Sequence, residues 1–213
     1  MYPPRSPPSP RSRPLTSRST DDICARDYDG PVLGQTPDPA WNGDERTTLT
    51  GFLEDQRSTL AWKCQGLSDA QLKTPSVPPS NLTLLGLVRH MAEVERSWFR
   101  RRLSGEPIGR IWCTEAQPDA DFDSVADADV AEALSRWEDE CRIARSILKD
   151  LDSLDVTFGT PDYLDMSARC MVNHMIEEYS RHNGHADLIR ERIDGKTGDF
   201  PSPEEHVPLP GQD

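Results

Sequence analysis

No stretch of this 213-residue chain approaches the ~18–20 consecutive apolar residues that a membrane-spanning helix needs, so the sequence argues against a membrane protein. Positive charge is scarce. Against 37 Asp and Glu stand 24 Lys and Arg, a formal net charge of −13. A surface of that sign repels phosphates, which excludes an ordinary nucleic-acid binder. Cysteine is sparse and unpaired: Cys24, Cys64, Cys113, Cys141 and Cys170 are odd in number, far apart and never form C-x-x-C. That pattern fits neither a disulfide framework nor a structural zinc knot. It fits free, mostly buried thiols in a reducing, cytoplasmic setting. The N-terminus has no apolar stretch of the secretory kind. Apolar residues make up 35% of the chain, less than in an average globular domain, and strand signals are nearly absent.

What the chain does have is unevenly placed. Nine of its 19 prolines lie in residues 1–40 and four in 201–213. The first twenty residues carry Arg5, Arg11, Arg13 and Arg18, no acid and six prolines, too many for an amphipathic helix. Residues 1–41 are therefore expected as a disordered Pro/Ser/Arg-rich leader, and 197–213 as a disordered Pro-rich tail. Between them, 42–196 suits one compact domain with a full core.

That domain reads as four helices. From about Asp44 to Gly66, Leu49, Phe52, Leu53, Leu60 and Cys64 keep a helical rhythm. Ser68 and Gln71 form a capping-box pattern, and Pro75, Pro78 and Pro79 predict an extended connection. A second helix is predicted over Thr83–Leu103, stopped by Ser104-Gly-Glu-Pro107. The third, Asp127–Leu151, repeats Val130, Leu134, Trp137, Cys141, Ala144, Leu148 and Leu151 in steps of four and three. The fourth spans Asp165–Ile193, with Asp194-Gly195 as its stop. Residues 104–126 look irregular. Trp62, Trp98 and Trp137 occupy core positions. The expected fold class is all-α, a four-helix bundle.

The fourth helix carries an anomaly. At about 100° per residue, Met171, Met175, Glu178, His182, Ala186, Ile189 and Ile193 share one narrow face. Glu178 and His182 thus stand where a core helix would carry Leu, one turn apart on the same side. On the second helix His90 lies among Leu87, Met91 and Val94. Two imidazoles and a carboxylate leave a position open for water or substrate, a donor set suited to zinc, with nickel or iron also accepted. Two plain alternatives stand beside this: a core histidine held by hydrogen bonds, and a surface Glu–His pair at i, i+4. His185 lies at the margin of the stripe and His174 at its rim. Cys170 lies well round the helix from the stripe and reads as structural. The acidic run Asp119–Asp123 with Asp127 and Asp129 lacks a calcium loop's glycine turn and closing Glu, and reads as helix N-terminal charge.

Two segments carry a resemblance: Leu82-Thr-Leu-Leu-Gly-Leu-Val-Arg-His-Met-Ala-Glu-Val-Glu-Arg-Ser-Trp-Phe99 and His174-Met-Ile-Glu-Glu-Tyr-Ser-Arg-His-Asn-Gly-His-Ala-Asp-Leu-Ile-Arg-Glu-Arg-Ile-Asp-Gly195. With Gly66–Leu72 and Val77–Leu84, they make residues 42–196 similar to the DinB-like superfamily, in a branch abundant in actinobacteria. The resemblance implies a four-helix bundle that binds a divalent metal through one residue of the second helix and two of a later helix at i, i+4. Carried onto this chain, these are His90, Glu178 and His182. Many relatives have His where Glu178 stands, while the superfamily's mycothiol-dependent maleylpyruvate isomerases are similar in having Glu. His185 stands where many members carry Gln, and is expected beside the ligands, orienting one or assisting proton transfer, with a place as substitute ligand as the second option.

The superfamily includes transferases that use mycothiol or bacillithiol. The implied activity is a metal-dependent transferase or isomerase in which a low-molecular-weight thiol, mycothiol as co-substrate, attacks an electrophilic small molecule. No Cys falls on the ligand stripe, which fits a cofactor thiol. Arg89, Arg181 and Trp112 are candidates for recognising the thiol or an acidic substrate, against a plain reading as solvated and packing side chains. The competing reading is a non-catalytic bundle whose metal site is structural or degenerate, acting in a stress response or an assembly. Homodimerisation through helix faces stays open.

Overall fold

The computed structural model describes residues 42–159 and 165–198. The expected leader, all but the first two residues of the expected tail, and Cys24 lie outside the described residues. Within them the protein is all-α apart from one two-residue strand pair.

Each main helix starts at a side-chain cap. Asp44 accepts the Thr47 N–H at 2.7 Å and opens α1, Glu45–Cys64. Ser68 and Gln71 close a reciprocal capping box over the single turn α2, Asp69–Leu72. Thr83 accepts the Gly86 N–H at 3.0 Å and opens α3, Leu84–Glu95. That helix continues unbroken to Leu103, as expected, but from Arg96 it widens into π-helical turns, closed by Ser104 N–H on the Phe99 carbonyl at 3.0 Å. There Arg96 and Arg100 both reach Glu140, at 2.5 and 3.1 Å. After a long connection come the short α4, Ala120–Asp123, and α5, Val130–Asp150, capped by Asp129. The last helix, α6, runs Ala168–Asp194 and ends at Gly195, whose φ of 80° is the left-handed stop glycine allows without strain.

Two boundaries differ from expectation. The third helix begins at Val130 rather than Asp127 because Asp129 turns its side chain back on the Glu132 N–H. The fourth begins at Ala168 rather than Asp165. Met166–Ser167 (β2) first pairs antiparallel with Thr157–Phe158 (β1), and the Ala168 N–H still bonds the Val156 carbonyl at 2.8 Å.

α1 packs mainly on α6, and α3 on α5, with α3 also meeting α6. Leu53 and Leu60, Leu84, Leu87, Val88, Met91 and Phe99, Trp137 and Ala144, and Met171 and Met175 fill the centre. Trp62 and Trp98 are buried as expected. Four helices are also tied by a charged cluster with no exposure at its heart. Arg57 of α1 donates to both oxygens of Glu95 on α3, at 2.8 and 2.7 Å. Tyr179 of α6 donates to Glu95 at 2.8 Å and accepts the Trp137 indole N–H of α5 at the same distance. Glu54 joins Arg57 at 2.6 Å to Arg145 at 2.7 Å. Two acids and two arginines leave the group neutral, as buried charge requires. Among the described residues, no helix is long and apolar enough to cross a membrane.

Candidate metal centre

His90 comes from the middle of α3, and Glu178 and His182 from successive turns of α6. Packing of these helices brings the three side chains together, as the sequence pattern anticipates. One donor atom of each lies within 4.8 Å of the other two. Glu178 Oε1 stands 3.5 Å from His90 Nε2 and 3.5 Å from His182 Nε2. The two imidazoles meet edge to face at 4.7 Å. The side chains are 23, 25 and 13% exposed, buried enough to raise the cost of their polarity and open enough to admit a ligand.

The electrostatics follow from this arrangement. Hydrogen bonds from His182 and His90 hold the Glu178 carboxyl far below the ordinary carboxylate range, against the opposing effect of burial. Burial works against a charged His90, but the Asp121 and Glu178 carboxylates outweigh it and raise its pKa to about 9. Without a cation the carboxylate is thus paired with protonated imidazole. With one, the same Oε1 and Nε2 atoms are free to point inward at it. The residues fit a divalent ion: nitrogen and oxygen donors, three in number, converging from two rigid helices.

The other expected residues are placed less uniformly. His185 lies next to the centre, its ring 5.5 Å from that of His182, and its Nδ1 is buried without a hydrogen-bond partner. Burial, with His182 and Arg181 nearby, lowers its pKa. Arg181 is exposed. Arg89 is 5% exposed and not solvated: its Nε and Nη2 donate to the carbonyls of Asp121 and Ala120, both at 2.9 Å, and its guanidinium lies over the Trp112 ring at 4.4 Å. Arg89 and Trp112 therefore face each other. His174 sits two turns away, edge-on to Trp98 at 4.7 Å. Cys64, Cys113 and Cys141 are buried free thiols, while Cys170 is exposed, not packed in the structure. Burial pushes the Cys64 thiol up to about 12.

One residue of the neighbourhood escapes the sequence pattern. Asp121, read as part of a helix N-terminal charge cluster, is 4% exposed and its Oδ2 lies 2.8 Å from His90 Nδ1. Asp121 and Asp123 do lie in the first turn of α4, and Asp129 caps α5, as helix N-terminal charge. The connection from 104 to 126 folds back over α3 because Glu93 Oε1 accepts the backbone N–H groups of Ile111, Trp112 and Cys113, at 2.8, 2.6 and 3.0 Å.

A family profile described as mycothiol-S-transferase matches residues 48–195, which include all three converging side chains and every main helix except the first turn of α1. The chain belongs to that family. The family lies within the DinB-like superfamily, in agreement with the resemblance carried by α3 and α6. Neither the curated proteins nor the solved structures contain a match to the chain.

Proposed function

We propose that the protein is a metal-dependent transferase that activates a low-molecular-weight thiol, mycothiol, for attack on an electrophilic small molecule. The observation that carries this reading is the convergence of His90 Nε2, Glu178 Oε1 and His182 Nε2 from two helices within 4.8 Å. Among the described residues the group has three protein donors and no fourth, the number found where a centre keeps a place for a reacting ligand. Membership of the mycothiol-S-transferase family supports mycothiol as that thiol.

His90, Glu178 and His182 are the residues that would hold the ion. A zinc-like cation supplies positive charge that keeps a sulfhydryl ligand deprotonated at neutral pH. The chain's own groups do the rest. Glu178 contributes one negative charge, so that a thiol anion entering the site is not held by excess positive charge alone. The unpartnered His185 Nδ1 beside His182 is placed to take up a proton at the edge of the centre. The buried cysteines stay protonated at neutral pH, with Cys64 at about 12 and Cys113 pushed by burial to about 11, and none of the described cysteines belongs to the converging group, which favours a nucleophile from outside the chain.

Metal content of the chain, purified without chelator or His tag, is the first test. Near-stoichiometric metal that disappears in both His90→Ala and His182→Ala, together with mycothiol consumption in the presence of a model electrophile, is the expected result. A folded wild type that takes up no zinc, nickel or iron refutes the reading.

A further inference from the structure

We propose that Asp121 is a positioning residue of the metal centre: it accepts the Nδ1 proton of His90, fixing the tautomer and the ring so that the Nε2 lone pair faces Glu178 and His182. This rests on the metal-centre reading above and adds to it a residue from outside the two ligand helices.

The argument begins with where the Asp121 side chain goes. Its own backbone is already held, since Arg89 binds the carbonyls of Ala120 and Asp121 and Glu93 binds three N–H groups further up the connection. The carboxylate is not needed for that. Its Oδ1 accepts the neighbouring Phe122 N–H at 3.1 Å, and its Oδ2 meets His90 Nδ1 at 2.8 Å, the distance of a strong charge-assisted bond. A carboxylate that keeps the proton on Nδ1 leaves Nε2 as the nitrogen that gives up its proton, and so presents its lone pair, when an ion is bound. Nε2 is the atom that lies 3.5 Å from Glu178 Oε1.

The same short helix braces the ring a second time. Phe122 stacks on the His90 imidazole at 4.8 Å with 28° between planes. It approaches α3 over Gly86, where a Cβ would stand only 3.1 Å from the Phe122 ring. His90 is thereby gripped at its Nδ1 and on one face. His182 has no equivalent: its Nδ1 is buried with no hydrogen-bond partner. The centre has one imidazole held at Nδ1 and one that is not, and Asp121 makes the difference.

Outer partners of this type alter metal affinity by about 10–100-fold when removed. The test uses the full chain with Zn2+ as probe, its affinity measured by competition with a chromophoric chelator, and nitrogen-15 NMR of the histidine ring nitrogens. The wild type is expected to bind through His90 Nε2 and to show an Nδ1–H slow to exchange with solvent. Asp121→Ala is expected to bind Zn2+ about 10–100-fold more weakly and to lose the slow Nδ1–H signal. A purely structural role for Asp121 would lower stability and leave both readouts unchanged in the folded protein. Equal Zn2+ affinity and an unchanged His90 signal in Asp121→Ala overturn this inference alone; absence of Zn2+ binding by the wild type overturns it together with the metal centre. If the variant does not fold, the wild-type spectrum still decides: Zn2+ bound at Nδ1, or an Nδ1–H in free exchange, refutes the proposal.

Discussion

The charged cluster that ties the four helices allows a prediction with a definite size. Glu95→Gln keeps the side-chain volume and an oxygen for Tyr179, but removes the charge facing Arg57. Arg57 and Glu95 have no exposure, so water cannot replace the lost partner. Breaking a buried ion pair on one side costs about 3–5 kcal/mol. Glu54 still faces Arg57 at 2.6 Å, which places the expectation at the lower end, about 3 kcal/mol. With a urea m-value of about 2 kcal/mol per molar, the unfolding midpoint should fall by about 1.5 M. Urea titration followed by tryptophan fluorescence measures this, because Trp137 reports on the same cluster through Tyr179. Arg57→Met in the Glu95→Gln background removes the stranded charge. The double variant should lose at least about 1 kcal/mol less than the sum of the two single losses. A Glu95→Gln loss under about 1 kcal/mol, or strict additivity in the cycle, refutes the view that these charges are energetically coupled.

Four further outcomes follow from the same kind of reasoning. In chelator, the stability of the metal-free chain should fall as pH rises from about 6.5 to about 9: the folded pKa of His90 is raised, so its protonated form favours the fold below the unfolded value and that contribution vanishes on deprotonation. His90→Gln should remove this alkaline slope, and urea midpoints at pH 6 and pH 9 that still differ as in wild type would refute the assignment. Glu54 acts at the opposite end: burial raises its pKa, but Arg57 and Arg145 outweigh burial and lower it, so its contribution is present above the ordinary carboxylate range and lost as acid protonates it. Glu54→Gln should flatten the acid limb. Glu93→Ala strands three N–H donors, and hydrogen exchange should show the amides of Ile111, Trp112 and Cys113 losing protection while those at the centre of α5 keep theirs. Gly86→Ala gains about 1 kcal/mol of helix propensity, but the new Cβ meets Phe122 and the capping Thr83 oxygen at 3.1 Å, neither of which moves freely, so a net loss of thermal stability is expected and a gain would refute the close-packing argument.

The parts of this protein legible in its sequence are those that depend on helical periodicity. The Ser68 cap and the Gly195 stop are local chemistry, and both stand where the pattern puts them. Glu178 and His182 stood out because a stripe otherwise made of Met, Ala and Ile has no reason to contain them unless something lies opposite. His90 could be paired with them because few histidines exist to choose from. Asp121 had no such signal. It belongs to a run of exposed-looking acids in an irregular connection, and its burial depends on contacts 18 to 32 residues apart in sequence, from Glu93 and Arg89. The burial of Arg89 is non-local in the same way, because it is the returning connection that covers it. The neutral cluster around Glu95 was invisible too, since charged residues on a helix read as surface until partners from other helices are known.

A carboxylate at position 178, rather than a third imidazole, decides how the centre behaves when no ion is bound. Three imidazoles brought within 4.8 Å could be protonated only against one another's charge. Glu178 reverses this, because it accepts from both His90 and His182 and is itself held ionised by them. A proton then occupies the electrostatic role of the cation, and the two helices need no metal to stay in contact. α3 and α6 are held together by Met91, Met175 and the Glu95–Tyr179 bond, none of which belongs to the proposed ligand set, so on the proposed reading the fold and the centre are separable. If the proposed centre binds metal, uptake exchanges protons rather than folds the chain, so loading should release protons to buffer and leave the far-ultraviolet circular dichroism unchanged. Helix gained on addition of zinc would show instead that the centre is built by its metal.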